Sequence, residues 1–182
     1  MGIAKLKKEL ENLPEDWVVM LETTSSKIVS ISREALKILV GKRYTGIILS
    51  ANKPCSSLIS SLRESGIAKE KLFVICSVCG KDKKDKTPDN VVHVQHSTAL
   101  TEMAVALGEA MKSIKGKKFV FIDSITSMLI HNESKTLARF IHSILTKMRN
   151  QSTNGIIISM DAETEKEIRL EIAQLCDKVI RV

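Results

Sequence analysis

Short apolar runs alternate with amphipathic stretches along the whole chain. Each run is rich in bulky or β-branched residues and is bounded by polar or turn-forming ones, which is typical of strands buried on both faces of a sheet. The runs predict strands at 17–22, 44–50, 71–76, 91–94, 117–123, 155–160 and 178–182. The run ending at Asp123 is the clearest and predicts the central strand.

Apolar residues at helical spacing predict helices between these strands. They cover 3–13, 32–41, 54–66, 98–114, 137–148 and 161–175. Ser32, Ser97 or Thr98, and Asp161 are the predicted N-caps. The pattern over 27–31 predicts a short strand or an extended loop, and a loop is expected between Asp123 and the helix at 137–148.

The alternation of strands and helices predicts an α/β protein, a three-layer open and mostly parallel sheet with helices on both faces. The 182 residues, 43% of them hydrophobic, suit one domain with a large core, and no repeat or linker divides them. We therefore expect a single domain over 1–182, with 1–13 as an N-terminal amphipathic helix that packs on the domain or on a partner.

Composition narrows the possible partners and the cellular location. The net charge of +7 permits an acidic partner such as nucleic acid, through the lysines at 5–8 and the charged stretch 81–86, but only 3% of residues are aromatic, so stacking platforms are scarce. No apolar run is long enough to span a bilayer, so we expect no membrane association. The N-terminus has no secretory signal and the four cysteines suit a reducing environment, so a cytoplasmic protein is expected.

Asp123 and Ser124 follow the predicted central strand, where open α/β sheets bind their ligands. An aspartate at this position holds magnesium in P-loop ATPases, which makes ATP with Mg²⁺ a candidate ligand. The alternative is an aspartate that caps the turn into the next loop. A hydrolytic acid is missing after the neighbouring strand, where Ser50 is followed by Ala51, Asn52 and Lys53.

A phosphate site would have to lie after the first strand. A P-loop needs glycines and a Lys-Ser/Thr pair, yet no glycine occurs between Gly2 and Gly41, and Lys27 is followed by Ile28. Hydroxyls in such a loop bind anions weakly or serve as ordinary turn residues. The candidate nucleotide-binding residues are therefore Thr23, Thr24, Ser25, Ser26, Lys27, Asp123 and Ser124.

Zinc is the alternative cofactor. Cys76 and Cys79 with His93 and His96 form a two-cysteine, two-histidine set, although two residues separate the histidines where three to five are usual. A cysteine at a strand end also behaves as a small apolar residue. The other cysteines are expected to pack in the core, and His131 and His142 have no neighbour that would form a catalytic triad.

Several phrases resemble the RecA/KaiC-like ATPase-fold proteins, and more closely their uncharacterised archaeal members with a degenerate P-loop. They are GIILSANKP at 46–54, FVFIDSITSML at 119–129, RFIH at 139–142 and CDKVI at 176–180. The resemblance implies a RecA-like P-loop NTPase fold without a P-loop, with Asp123 at the Walker B position. The Walker A segment is replaced by residues 23–30, and the acidic pair that KaiC-like ATPases carry after their second core strand is Asn52-Lys53 here.

The expected function is therefore a non-catalytic, pseudo-ATPase domain that acts as a binding, scaffolding or signalling module, with a protein partner or self-association. One alternative is a divergent ATP-binding protein or ATPase that uses Asp123. The other is a nucleic-acid-associated protein that uses the basic surface segments.

Overall fold

The computed structural model of the chain describes residues 2–51, 53–77, 89–96, 98–161 and 166–182. Its centre is a seven-stranded sheet with the order β4-β3-β2-β5-β6-β1-β7, and every neighbouring pair is parallel. The strands are β1 Val18–Thr23, β2 Thr45–Ser50, β3 Leu72–Cys76, β4 Val91–His93, β5 Lys118–Asp123, β6 Asn154–Met160 and β7 Lys178–Arg181. The predicted open α/β sheet is confirmed.

Helices cover both faces of this sheet. One face carries α1 Gly2–Glu11, α2 Ile28–Gly41 and α3 Cys55–Glu64. The other carries α4 Leu100–Ser113, α5 Ile125–Leu129, α6 Ser134–Asn150 and α7 Lys166–Gln174. Parallel strands require such crossover connections, and helices on both sides leave the sheet buried in the middle layer.

The strands alternate their side chains between two hydrophobic cores. In β1, Val18 and Met20 join the core beneath α4 to α7, whereas Val19 and Leu21 join the core beneath α1 to α3. All four side chains are fully buried. A strand that must be apolar on both faces loses the alternating pattern of a half-exposed strand, which is why the continuous runs identified these segments.

Several helix starts differ from the prediction; α6 begins at Ser134 and not at 137, and α7 begins at Lys166 and not directly after Asp161. Helix α2 begins at Ile28 rather than at Ser32, so the strand or loop predicted over 27–31 is wrong and Ser32 lies inside the helix. Ala99, and not Thr98, precedes α4. The segment after β5 is not entirely loop, because α5 begins at Ile125.

Helix α1 is anchored to the edge strand β7 and to α2. The Lys5 ammonium donates to the carbonyl of Arg181 at 2.9 Å, and Lys178 pairs with Glu9. Lys42, just after α2, donates to the carbonyl of Leu10 at 3.0 Å. This hydrogen bond gives a partner to one of the last carbonyl groups of α1, which have none within the helix. None of the described helices is long and apolar enough to cross a membrane.

Candidate functional site

The carboxyl edge of the sheet gathers most of the buried polar side chains of the described chain. Thr153 and Asn154 lie at the opposite edge. The buried polar residues at the carboxyl edge, or hydrogen-bonded to it, are Thr23, Ser50, Ser77, Asp123, Ser124, Ser127, Ser159 and Arg169. Because all the strands are parallel, their ends meet here, and ligands of open α/β sheets bind at this edge.

Asp123 ends β5, level with Ser50 at the end of β2. Its side chain is 6% exposed, and burial raises its pKa, while the nearby positive charge of Lys53 opposes that shift. The peptide bond to Ser124 is cis, and the N–H of Ala51 donates to the Asp123 carbonyl at 3.3 Å. The carboxyl group therefore lies at the predicted strand end with a lysine as its charged neighbour.

The hydroxyl of Ser124 is the N-cap of α5. It accepts the N–H of Ser127 at 3.3 Å and lies 3.1 Å from the Ser127 hydroxyl. In the first turn of α5, the Thr126 hydroxyl accepts the N–H of Met160 at 3.0 Å and links this helix to β6. The cap of this turn is therefore the serine hydroxyl, and not the Asp123 carboxylate considered in the sequence analysis.

The turn after β1 is closed by its own backbone. The N–H groups of Lys27 and Ile28 both donate to the Thr24 carbonyl, at 3.0 and 3.1 Å. The hydroxyls of Thr24 and Ser26 lie 3.1 Å apart. The four residues of this turn are exposed, and no side chain caps the helix that follows.

Thr23 differs from the rest of that segment because it is buried. Its side chain is 2% exposed, and its hydroxyl oxygen has no hydrogen-bond partner in the described structure. It belongs to the face of β1 that lies beneath α2, since Val19 and Leu21 point the same way. An unpaired buried hydroxyl costs about 1–3 kcal/mol.

Thr23 and Asp123 lie at the same edge of the sheet, but they are too far apart for their side chains to touch. Strand β6 separates β1 from β5, which places them about 10 Å apart across the sheet. Thr23 is level with Met160 of β6, and Ile122 is level with Ile157, so Asp123 is level with the residue after Ile157. Thr23 therefore lies two residues, or about 7 Å, further along the strand direction than Asp123. The candidate residues after β1 and β5 therefore lie at the same edge of the sheet, on either side of the end of β6.

Arg169 is a charged residue at this edge that the sequence analysis missed. It reaches from α7 and donates to the carbonyl of Met160 at 3.2 Å and to the carboxylate of Asp161 at 3.3 Å. It is 8% exposed, and its Nε has no partner in the described structure. The sequence signal for its burial is its position in α7, next to Ile168 and three residues before Ile172, which are both buried.

The candidate zinc ligands are only partly brought together. The register of β3 and β4 sets Cys76 beside His93, but Cys76 is buried with its sulfur 3.6 Å from the Lys53 carbonyl, and His93 and His96 are exposed. Cys79 lies outside the described residues. Within the described part of the chain, no cluster of three or more His, Cys, Asp or Glu residues could hold a metal ion.

Cys55, Cys176, His131 and His142 are the remaining candidates in the described part of the chain. Cys55 is buried as expected, whereas Cys176 is partly buried, and burial raises the pKa of its thiol to about 12. His131 and His142 are exposed. The basic stretch 81–86 lies outside the described residues.

A cavity of about 440 Å³ opens beneath α3 at the far edge of the sheet, between Leu62 and Leu72.

Comparisons with known proteins agree on the fold. A search of curated proteins gives no significant match. The KaiC-like protein PH0186 from Pyrococcus horikoshii OT3 is 15% identical, with a TM-score of 0.67 over 93% of this chain and 72% of that one. The uncharacterised protein PH0321 from Pyrococcus horikoshii, solved in complex with an unknown peptide, is 12% identical, with a TM-score of 0.73 over 98% and 82% of the two chains. Both likenesses concern the fold alone.

The sequence comparison identifies the family. Residues 33–182 match the family described as "ATPase: KaiC", which is most of the chain and includes β5 with Asp123. The resemblance based on the sequence phrases is thereby confirmed at the level of the superfamily. The chain belongs to the KaiC-like ATPase domain family.

Proposed function

We propose that this chain is a non-catalytic KaiC-like domain that serves as a binding module for a protein partner. The observation that carries the proposal is the closed turn after β1. A phosphate loop spans eight residues and leaves successive backbone N–H groups free to surround phosphate. Here, only residues 24–27 separate Thr23 from Ile28, and the N–H groups of Lys27 and Ile28 are already donated to Thr24.

The surroundings of Asp123 support the same conclusion. Burial raises the pKa of Asp123, and a cation bound to this carboxyl would meet the positive charge of Lys53. The sequence places Lys53, and not an acid, near the end of β2, and its charge acts on Asp123. Hydrolysis needs a group that orients water, and a lysine ammonium has no acceptor for it.

A protein partner is supported by the fold's use elsewhere. PH0321, which shares this fold, was solved with an unknown peptide. A protein with this fold therefore forms a complex with a peptide. For this chain, we expect the partner to be another protein or a second copy, and sedimentation at rising concentration separates these two outcomes.

Calorimetric titration with ATP and Mg²⁺ tests the proposal. We expect no binding at millimolar nucleotide for the wild type, and no difference from Asp123→Asn. The matched control is Asp89→Asn, which removes an exposed acid before β4, at the opposite end of the sheet from Asp123. Binding that disappears in Asp123→Asn and persists in Asp89→Asn, with both variants folded, would overturn the proposal.

One observation favours a second candidate, a divergent ATP-binding protein. The hydroxyl of Thr23 is buried without a partner beneath the start of α2, and helix N-termini attract anions. In this candidate, Thr23 to Lys27 would hold phosphate and Asp123 with Ser124 would hold Mg²⁺. Loss of nucleotide binding in both Thr23→Val and Asp123→Asn would establish it.

A further inference from the structure

The two edges of the sheet differ in how their outward backbone groups are used. At the β7 edge, the N–H of Val182 donates to the Glu22 carbonyl of β1 at 3.0 Å. Because backbone groups alternate in direction along a strand, those of Arg181 point away from the sheet. The outward carbonyl of Arg181 accepts the Lys5 ammonium of α1 at 2.9 Å, so α1 already contacts this edge.

Strand β4 forms the other edge, and its hydrogen bonds to β3 determine which of its groups face outward. The carbonyl of Asn90 and the N–H of Val94 are both bonded to β3, at 2.8 and 2.9 Å. By the same alternation, the N–H and C=O of Val92 also face β3. The N–H and C=O groups of Val91 and His93 therefore point away from the sheet.

These outward groups are unpaired in the described structure. Neither Val91 nor His93 has a backbone hydrogen bond on this side to any described residue. The next outward N–H, that of Gln95, is taken by the carboxylate of Glu102 at 3.4 Å. The open edge thus offers four hydrogen-bonding groups, and equivalent groups of the two residues are about 7 Å apart.

This row of groups selects the kind of partner. An extended backbone repeats N–H and C=O at that spacing along one side, so a strand added beside β4 can pair with all four groups. A helix cannot, because its backbone groups are bonded within the helix. Val92 would add an apolar contact, since it is 37% exposed and is the one strand residue among the exposed large apolar side chains of the described chain.

The cavity beneath α3 lies at the amino end of the same edge. Asn90, the residue before β4, borders it, and its volume is about 440 Å³. Its apolar walls come from α3 and β3 and are Ile59, Leu62, Leu72 and Val74. Val91 points to the same face of the sheet as Leu72 and Val74. Every second side chain of a strand added beside β4 would therefore point to the face on which the cavity lies.

The rim of the cavity favours an apolar side chain over a charged one. The charged side chains that border the cavity are two of each sign, so charge selects neither an acidic nor a basic partner. The walls, by contrast, offer an apolar side chain a surface that removes it from water.

We propose that the β4 edge and the cavity beneath α3 together bind an extended segment of a partner protein. The segment adds a strand to the sheet and places one bulky apolar side chain in the cavity. The proposal rests on the proposed function, because it locates the contact of the binding module. Its test uses no nucleotide, so the two can fail independently.

The probe is a ten-residue peptide of alternating threonine and valine, with a central phenylalanine and a lysine at each end. Two isomers carry N-methyl groups on alternate central nitrogens, one isomer for each side of the extended backbone. Binding is measured by fluorescence anisotropy. Because an added strand pairs through one side only, we expect one isomer to bind like the unmethylated peptide and the other about tenfold more weakly.

Two substitutions of His93 separate the backbone from the side chain. His93→Pro removes an outward N–H that the ladder to β3 does not use, and edge strands tolerate proline in this orientation. We expect it to weaken binding of the unmethylated peptide by about tenfold. His93→Ala is the matched control, because it keeps the N–H, and it should bind as the wild type does. Circular dichroism and urea unfolding verify that both variants fold.

A variant with a filled cavity tests the anchor residue. Ile59→Trp places a larger apolar side chain in the cavity wall. Replacing the phenylalanine of the peptide by alanine should weaken binding to the wild type by about tenfold and to Ile59→Trp hardly at all. The same loss in both proteins would show that the phenylalanine does not enter the cavity, which contradicts the proposal.

Three further results would overturn the proposal. Equal losses in His93→Pro and His93→Ala would assign the contact to the imidazole. Equal binding of the two methylated isomers would show that the edge is not paired with the peptide. Slow amide hydrogen exchange at Val91 and His93 in the free protein would show that the edge is already covered, and protection that rises with protein concentration would assign it to a second copy.

Discussion

The ends of β1 and β5 use similar residues in different ways. Both strands reach the carboxyl edge, and both are followed by hydroxyl side chains and a helix. After β5, the Ser124 hydroxyl accepts the N–H of Ser127, three residues further on. After β1, the backbone closes the turn on the Thr24 carbonyl, and the Thr23 hydroxyl is left without a partner.

The difference shows that hydroxyl content alone does not define a cap or an anion site. A cap requires the oxygen to sit three residues before the N–H it accepts, with extended backbone at the capping residue. Ser124 meets both conditions, with φ −131° and ψ 161°. Lys27, at the corresponding position before α2, is already near the helical region and makes no side-chain cap.

The largest expected effect comes from Thr126→Val. The Thr126 hydroxyl accepts the N–H of Met160, and valine would leave that N–H without its acceptor. We expect a loss of about 2 kcal/mol in the free energy of unfolding, measured by urea denaturation. An unchanged urea midpoint would show that the hydrogen bond between α5 and β6 contributes little to stability. The end of β5 would then be no better stabilised by its hydroxyl groups than the end of β1.

Ser124→Ala removes the cap of α5. We expect a loss of about 1.5 kcal/mol, because the residue is fully buried and also contacts the Ser127 hydroxyl. Ser25→Ala in the exposed turn after β1 is the matched control and should change stability by less than about 0.5 kcal/mol. Equal losses in the two variants would contradict the distinction between a capped and an uncapped strand end.

Thr23→Val should have the opposite sign. Valine keeps the shape of threonine and removes a buried hydroxyl that has no partner among the described residues. We expect a gain of about 1 kcal/mol in the free energy of unfolding. A loss of similar size would mean that the hydroxyl has a stabilising partner after all, and would favour a bound ligand at this end.

The smallest effect concerns pH at the β5 end. Burial raises the pKa of Asp123 above the ordinary value of 3.8, so the folded state holds its proton more tightly than the unfolded state. The resulting stability is fully present below that ordinary value and is lost as pH rises through the raised one. Asn cannot ionise, so Asp123→Asn should gain stability over the wild type across this window.

A pH series of urea unfolding curves measures that difference. Asp89→Asn, which removes an exposed carboxylate before β4, is the control for the loss of one acidic side chain. If the difference between the wild type and Asp123→Asn stays constant with pH, Asp123 is not the titrating group.

The sequence was informative wherever one local pattern had a single interpretation. The apolar runs of β1, β2, β5 and β6 are buried on both faces, so their strand positions followed directly. The segment 27–31 was ambiguous, since Ile28 and Ile31 also fit helical spacing with Ala35, and short windows do not separate the two periods. Helix α5 is too short to show any period.

The site was harder to predict than the fold. The run before Asp123 located the carboxyl end of β5, and the topology placed the end of β1 at the same edge of the sheet. Thr126 and Arg169, however, owe their roles to contacts with Met160, which belongs to another element. Such contacts are properties of the assembled sheet, and no local spacing reveals them.

The position of β1 between β6 and β7 also has a consequence for how the protein is made. The Trp17 N–H before β1 is held by Asn154, 137 residues later, and the first N–H of β1 by Asp177, 159 residues later. During synthesis, β1 therefore leaves the ribosome long before either neighbour exists, with its apolar side chains uncovered. Long-range pairing of this kind slows folding and prolongs exposure to aggregation. The sheet can close only when the last two strands have emerged, so β1 is the segment that a chaperone would have to protect.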